Sequence, residues 1–287
     1  MDGYVFDGAT QGSTPTDQAD FVLHVTHDGG RTWERSPLIA PIQQFLPGPS
    51  EDDAITGPSC ISGKACSYSF EASTDHGRTW HSRSTMPATP SEISAARTGS
   101  SVWVYASELG AGDKGSTFLS TNDGGLHWAD RAAPCESSSS GLSAAPDGHL
   151  WLVCGSQPGA GQQLKDVYRS DDGGNNWRLM ASDGDFGQTK PVGTITGGGY
   201  VNSLAAVSDS IAWLALDRGS LLTTTDGGRT WVDAPGFPPP ENFFAGLTFV
   251  DERHGWTAVQ VTSEPTPNDR VYRTTDGGKT WRYAALP

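Results

Sequence analysis

The 287-residue chain is poor in charge, in lysine and in cysteine, and it has no long apolar runs. Charged residues make up 18% of it, below the roughly one quarter usual in soluble domains. No run approaches the ~18 apolar residues of a membrane-crossing helix. Helical periodicity is never sustained over about ten residues, which argues against a helical architecture. Only five of the nineteen basic residues are lysine, and the net charge is −14. Such a surface repels phosphate backbones and anionic lipid, so nucleic-acid binding is not expected. Acidity of this kind serves solubility and names no partner by itself. The four cysteines include no C-x-x-C pair, and neither a nucleophile elbow, a phosphate-binding loop nor a metal-ligand cluster is present. Residues 1–15 lack both the basic start and the apolar core of a signal peptide.

Against these absences stands one abundance. An eight-residue box, S/T-x-D-x-G-x-x-W, occurs six times: THDGGRTW (26–33), STDHGRTW (73–80), TNDGGLHW (121–128), SDDGGNNW (170–177), TTDGGRTW (224–231) and TTDGGKTW (274–281). The closing tryptophans are 47, 48, 49, 54 and 50 residues apart. A fixed period of this size means a radial or stacked array. Within each box the aspartate can accept backbone N–H groups left unpaired by a tight turn, and the glycines tolerate positive φ. The Ser or Thr hydroxyl assists, and the Trp buries apolar surface. Asp28, Asp75, Asp123, Asp172, Asp226 and Asp276 are therefore assigned to structure. The boxes do not supply the further oxygen ligands of a Ca²⁺ loop, and neither a metal nor another cofactor is called for.

These boxes resemble the Asp-box, or BNR repeat. The chain is similar to Asp-box β-propellers of the sialidase-like superfamily, and especially to bacterial relatives of photosystem II assembly factors. The resemblance implies an all-β fold, a six-bladed β-propeller of four-stranded antiparallel blades spanning 1–287 as one domain. It implies little about activity, because one fold hosts many functions. GYVF (3–6) aligns with GWTA (255–258), the second strand of the last unit, so the first blade is expected to be incomplete at the N-terminus. A trimmed start accounts for both the missing strand and the missing signal.

The last unit shows the layout best: AGLTFVD (245–251), WTAVQV (256–261), DRVYRTT (269–275) into the box, then WRYAAL (281–286). Trp103, Trp151, Trp213 and Trp256 fall in second strands and are expected to pack between blades. Strands alternate in direction, so the boxes and the short 1–2 turns (SGK, TGS, PDG, SDS, ERHG) share one face. The longer 2–3 and 4–1 connections share the other, where function usually sits on a rigid scaffold. On that long-loop face the candidate binding residues are Glu51, Asp52, Asp53, Glu92, Tyr200, Asn202, Asn242 and Phe243, with Thr56 also placed at the channel mouth. The 238–240 proline run beside Phe243 and Phe244 suits either an exposed binding edge or a stiff linker.

Cys60 and Cys66 flank SGK, and Cys135 and Cys154 bracket a strand–turn–strand unit. Two local disulfides are predicted, which places the protein in an oxidising, extracytoplasmic compartment, secreted or lipid-anchored.

A sialidase requires three converging arginines, a Tyr–Glu nucleophile pair and an acid/base Asp. The F/Y-R-I-P signature is absent, and units of this length leave little room for pocket-building inserts. Arg97 and Arg218 lie near strand ends without a specified third partner. Glu51, Asp52, Asp53, Glu92 and Glu241 offer carboxylates, but no pair at glycosidase spacing is specified. The expectation is a monomeric, non-catalytic propeller that binds a protein or cell-envelope glycan on the face opposite the boxes. The alternative is a glycoside hydrolase of the sialidase-like group.

Overall fold

In the computed structural model each box closes a tight turn around its aspartate. Asp226 is typical: Oδ1 accepts from the Arg229 and Thr230 main-chain N–H groups (3.0 and 2.9 Å) and from Thr224 Oγ1 (2.9 Å). Its Oδ2 accepts from Thr230 Oγ1 at 2.6 Å. Asp28, Asp75 and Asp276 hold a Thr at the same offset, Asp123 holds His127, and Asp172 holds Asn176. The first hydroxyl of the box then accepts the N–H of the second glycine, as Ser170 Oγ does from Gly174 at 2.8 Å. Both box glycines take positive φ, near 70° and 85° in Gly173 and Gly174. The second box departs from this, because His76 stands in the first glycine position and adopts φ 57°.

The structure describes residues 3–8, 21–29, 31–38, 42–59, 67–87, 92–107, 116–135, 139–156, 162–184, 192–195, 198–218, 220–237, 243–261 and 268–284. They form a β-propeller of antiparallel sheets, each ordered as its strands follow in the chain. The first sheet has three strands, β1 (Gly3–Gly8), β2 (Phe21–Thr26) and β3 (Glu34–Arg35). Here β2 leads into the box and β3 leaves it, so β1 is a second strand and this blade is incomplete. The second blade is β4 (Ile42–Leu46), β5 (Asp52–Ser59), β6 (Ser67–Ser73) and β7 (His81–Pro87). The third is β8 (Glu92–Thr98), β9 (Ser101–Ser107), β10 (Ser116–Thr121) and β11 (Ala129–Arg131). The fourth is β12 (Ser139–Ala144), β13 (Leu150–Gly155), β14 (Lys165–Ser170) and β15 (Arg178–Ser182). The fifth is β16 (Tyr200–Ala206), β17 (Ala212–Asp217), β18 (Leu221–Thr224) and β19 (Val232–Asp233). The sixth is β20 (Phe243–Phe249), β21 (Gly255–Val261), β22 (Asn268–Thr274) and β23 (Arg282–Ala284). The first strands β4, β8, β12, β16 and β20 lie side by side from blade to blade, so they are the innermost.

The core lies between blades. Along β13, Leu150, Leu152 and Cys154 face the third blade, while Trp151 and Val153 face the fifth. Along β17, Ala212, Leu214 and Leu216 face the fourth blade, and Trp213 and Ala215 face the sixth. Period-2 alternation thus sends side chains into two separate apolar layers, which is why these strands show no polar face. Each box completes the joint. Trp128, Trp177, Trp231 and Trp281 pack edge-on against Phe70, Phe118, Trp151 and Trp213 of the preceding blade, with centroids 5.3–6.3 Å apart. The same rings fill the space beside the second box glycine. A Cβ on Gly228 would lie 2.7 Å from Trp151, one on Gly174 2.6 Å from Phe118, and one on Gly278 would enter the Trp213 ring.

One register differs from expectation. SGK lies in the 2–3 connection of the second blade, not in its 1–2 turn, because β5 ends at Ser59 and β6 begins at Ser67. The true 1–2 turn is 47–51, between β4 and β5. Glu51, Asp52 and Asp53 therefore sit on the box face, and Thr56 is buried within a second strand rather than at the channel mouth. Cys60 and Cys66 lie outside the described residues. Cys135, ahead of β12, is disulfide-bonded to Cys154 of β13, with Cα atoms 5.4 Å apart.

The joints make glycine substitutions unequal. Gly29 also has positive φ, but a Cβ there meets open space. Gly29→Ala should cost about 1 kcal/mol of backbone strain. Gly278→Ala adds a clash with Trp213 and should cost about 3 kcal/mol in urea unfolding. Equal losses at the two sites would show that the ring does not depend on the glycine.

Candidate functional site

Two groups of side chains, one on each face, contain most of the described candidate residues. On the box face, the start of β5 meets blades one and three. Tyr4 Oη donates to Asp52 Oδ2 at 2.6 Å, and His76 Nδ1 lies 3.5 Å from the same oxygen. Glu51 pairs with Arg83, which also donates to Gly124 O of the next box at 2.8 Å. Arg97 Nη1 donates to Glu51 O at 2.7 Å and stands 2.8 Å from Asp53 Oδ2. That second contact is an ion pair without hydrogen-bond alignment, since neither Asp53 carboxylate oxygen has a hydrogen-bond partner. Asp53 is fully buried, and burial pushes its carboxyl up to about 6 despite the pull of Arg97. These residues fasten three blades together; their polar atoms point at one another.

The long-loop face carries a different arrangement between blades five and six. Tyr200 begins β16, Phe243 begins β20, and Arg218 follows β17. The Arg218 guanidinium lies over both rings, 6.0 Å from the Tyr200 centroid and 5.7 Å from that of Phe243. Such a contact is electrostatic attraction between a cation and the ring face. Arg218 is exposed and holds a left-handed backbone, φ 56°, while Phe243 is 37% exposed. Behind them Asn202 Nδ2 donates to Phe244 O (2.7 Å) and to Asp217 Oδ2 (3.1 Å), and Asp217 Oδ1 accepts the Phe244 N–H (2.8 Å). Asn202 is thus a fastener between blades, with its amide hydrogens committed. Glu92 begins β8 on this face. Asn242 and Glu241 lie outside the described residues.

The structure therefore brings Tyr200 and Phe243 together and places them at the opposite strand ends from Glu51, Asp52 and Asp53. Arg97 and Arg218 also fall on opposite faces, so they do not converge on one substrate carboxylate. Arg218 is the residue that strand reading alone leaves unassigned. Its signal is the tetrad D-R-G-S (217–220), a turn in which a long cation follows a buried strand. Among the described residues no group of three or more His, Cys, Asp or Glu is arranged to hold a metal ion.

The family model described as Photosynthesis system II assembly factor YCF48 matches residues 15–263, well over half of the chain. The chain belongs to that family. A BNR/Asp-box repeat model matches residues 272–283, the last box. No curated protein matches the chain by sequence. Among solved structures, YCF48 from Cyanidioschyzon merolae is similar, with a TM-score of 0.54 and 18% identity, over 92% of this chain and 78% of that one. A structure described as YCF48 bound to D1 peptide gives a TM-score of 0.56 and 17% identity, over 92% and 74%. The Hadza microbial sialidase Hz136 gives a TM-score of 0.56 and 15% identity, over 91% of this chain and 65% of that one. At such identities the likeness to solved structures is one of fold, and the YCF48 type and the sialidase share it.

The titrations of the two kinds of aspartate have opposite signs. Hydrogen bonds from Thr32, Thr79 and Thr280 hold Asp28, Asp75 and Asp276 down at about 2. A carboxyl lowered by folding stabilises above its unfolded value of 3.8, and that contribution is lost as pH falls towards 2. Asp53 is raised by folding, so its contribution is present below 3.8 and lost as pH rises through about 6. The melting temperature should therefore rise as pH falls from 7 to 5 and drop steeply below 4. Asp53→Asn should reduce the rise between 7 and 5, to which Glu71 and Asp183, also raised by burial, contribute, and leave the acid drop intact. A variant with the wild-type profile would show that Asp53 does not carry it.

Proposed function

We propose that this chain is a non-catalytic, extracytoplasmic binding propeller whose partner is a polypeptide, met on the face opposite the boxes. The observation that carries this reading is the exposed Arg218 guanidinium framed by Tyr200 and Phe243. Its planar guanidinium, exposed on this face, suits a carboxylate or main-chain carbonyls as acceptors. Aromatic rings beside an exposed arginine are the composition of contact hot spots. Family membership supports a protein partner, and the peptide-bound relative shows that a propeller of this type takes a peptide ligand. The Cys135–Cys154 disulfide supports an oxidising compartment. A single propeller domain over 1–287, acting as a monomer, is the simplest form of such a scaffold.

A photo-crosslinking phenylalanine analogue placed at position 243 tests this in cells of the source organism. It should yield one dominant protein adduct, identified by mass spectrometry and lost when Arg218→Ala is added. The same analogue at Leu126, exposed on the box face, should yield none. Adduct formation only from position 126 would place the binding face on the wrong side. Purified protein should leave fluorogenic sialosides and aryl glycosides unchanged; turnover abolished by one carboxylate substitution would favour the glycosidase.

A further inference from the structure

Lys165 is the first residue of β14 and is 1% exposed. Its Nζ donates to three main-chain carbonyls: Gln163 O at 2.5 Å, Gly199 O at 3.1 Å and Gly198 O at 3.2 Å. An ammonium has three N–H donors and no acceptor, so donors and carbonyls match one to one. Two of these carbonyls belong to the residues immediately before Tyr200, one of which, Gly199, holds φ 74°. The same segment of blade four grips the next residue too, since Gln163 Oε1 accepts the Val201 N–H at 2.9 Å. A bridge between Gln162 and Gly199 completes the attachment. Tyr200 then pairs with Asp217, one residue before Arg218.

We infer that Lys165 is a positioning residue for the Tyr200–Arg218–Phe243 patch: its ammonium fixes the Gly198–Gly199 entry to β16, and with it the place of the Tyr200 ring beside Arg218. The consequence for binding rests on the proposed role of that patch; the geometry does not. A neutral hydrophobic side chain could fill the same space without the desolvation cost of a buried charge, so packing alone does not account for a lysine here. Among the described residues its charged neighbours are few. Asp183, after β15, accepts the Lys165 main-chain N–H at 2.9 Å, and Asp166, next on β14, accepts from Ser182 Oγ at 2.5 Å. The 198–201 segment brings one titratable group, the Tyr200 phenol.

Burial pushes Lys165 down to about 8, with Asp183 pulling the other way. A neutral amine keeps two donors for three carbonyls, so the entry to β16 loosens as pH rises through that value. Global stability moves the opposite way. A lysine lowered by folding is protonated in the unfolded chain up to its ordinary 10.5, so its contribution to stability grows between pH 8 and 10.5. Local order and overall stability are therefore separable.

The test is NMR of the full chain with labelled arginine, following the Arg218 Cδ protons, assigned with Arg218→Lys. Between two rings these protons carry a ring-current shift. In wild type it should move towards random-coil values with a midpoint near pH 8, while the melting temperature does not fall. In Lys165→Met the shift should be displaced at every pH, with no step near 8. A wild-type shift constant to pH 9.5, or a step only near the ordinary tyrosine value of about 10, overturns the inference. So does a Lys165→Met protein with the wild-type shift. If that variant does not fold, the wild-type titration alone decides. Failure of crosslinking at position 243 would count against peptide binding and would leave this result standing.

Discussion

A ring from one blade occupies the space that a Cβ would take on the second box glycine of the next, and the box Trp closes on that ring from the side. Phe70, Phe118, Trp151 and Trp213 each play this part towards Gly125, Gly174, Gly228 and Gly278. The glycine is needed twice, for its left-handed backbone and for its missing side chain, so no other residue satisfies both demands. The aspartate serves the same joint from within, because its hydrogen bonds hold the turn in the shape that presents the glycine. Blades that cannot bury their faces alone are stabilised through such nearest-neighbour contacts. In the incomplete first blade the box Trp is more open: Trp33 is 37% exposed, against 7% for Trp231 and 8% for Trp281.

This division of labour explains which parts of the molecule are legible in the chain. Turn chemistry is local, so six Asp–Gly boxes announce their turns, and the Trp-bearing second strands announce the interior. The second blade misleads because it offers two turn signals, PGPS (47–50) and SGK (62–64), and because Asp52 and Asp53 look unlike strand residues. They enter the strand because Tyr4 and Arg97, from the neighbouring blades, meet their carboxylates. Charge compensation from residues 44 to 48 positions away leaves no local trace. The Arg218 patch is hidden for the same reason: its rings come from two blades, and only the fold makes them neighbours.

The two faces thus spend polar chemistry differently. At the start of β5 on the box face, carboxylates and arginines are engaged in pairs and in main-chain bonds. On the other face, Asn202 and Asp217 are engaged in joining blades five and six, and Arg218 lies exposed beside them. A rigid joint directly beneath an exposed cation is a good support for recognition, since the contact is positioned before a partner arrives and less ordering is required on binding.

The outermost strands bear on how a partner can dock. β3 and β19 have two residues, and β11 and β23 have three. An extended chain that adds itself to a sheet needs a run of unpaired main-chain groups, and among the described residues four of the six blade margins are too short to offer one. The same brevity guards against polymerisation through open sheet edges. Among the described residues β7, with seven residues, presents the longest open margin, because the five-residue β15 already exchanges main-chain hydrogen bonds with Gly193. A polypeptide that meets this propeller across most of its circumference must therefore be held by side chains rather than by backbone zippering, and its selectivity will follow residue chemistry more than mere extended shape.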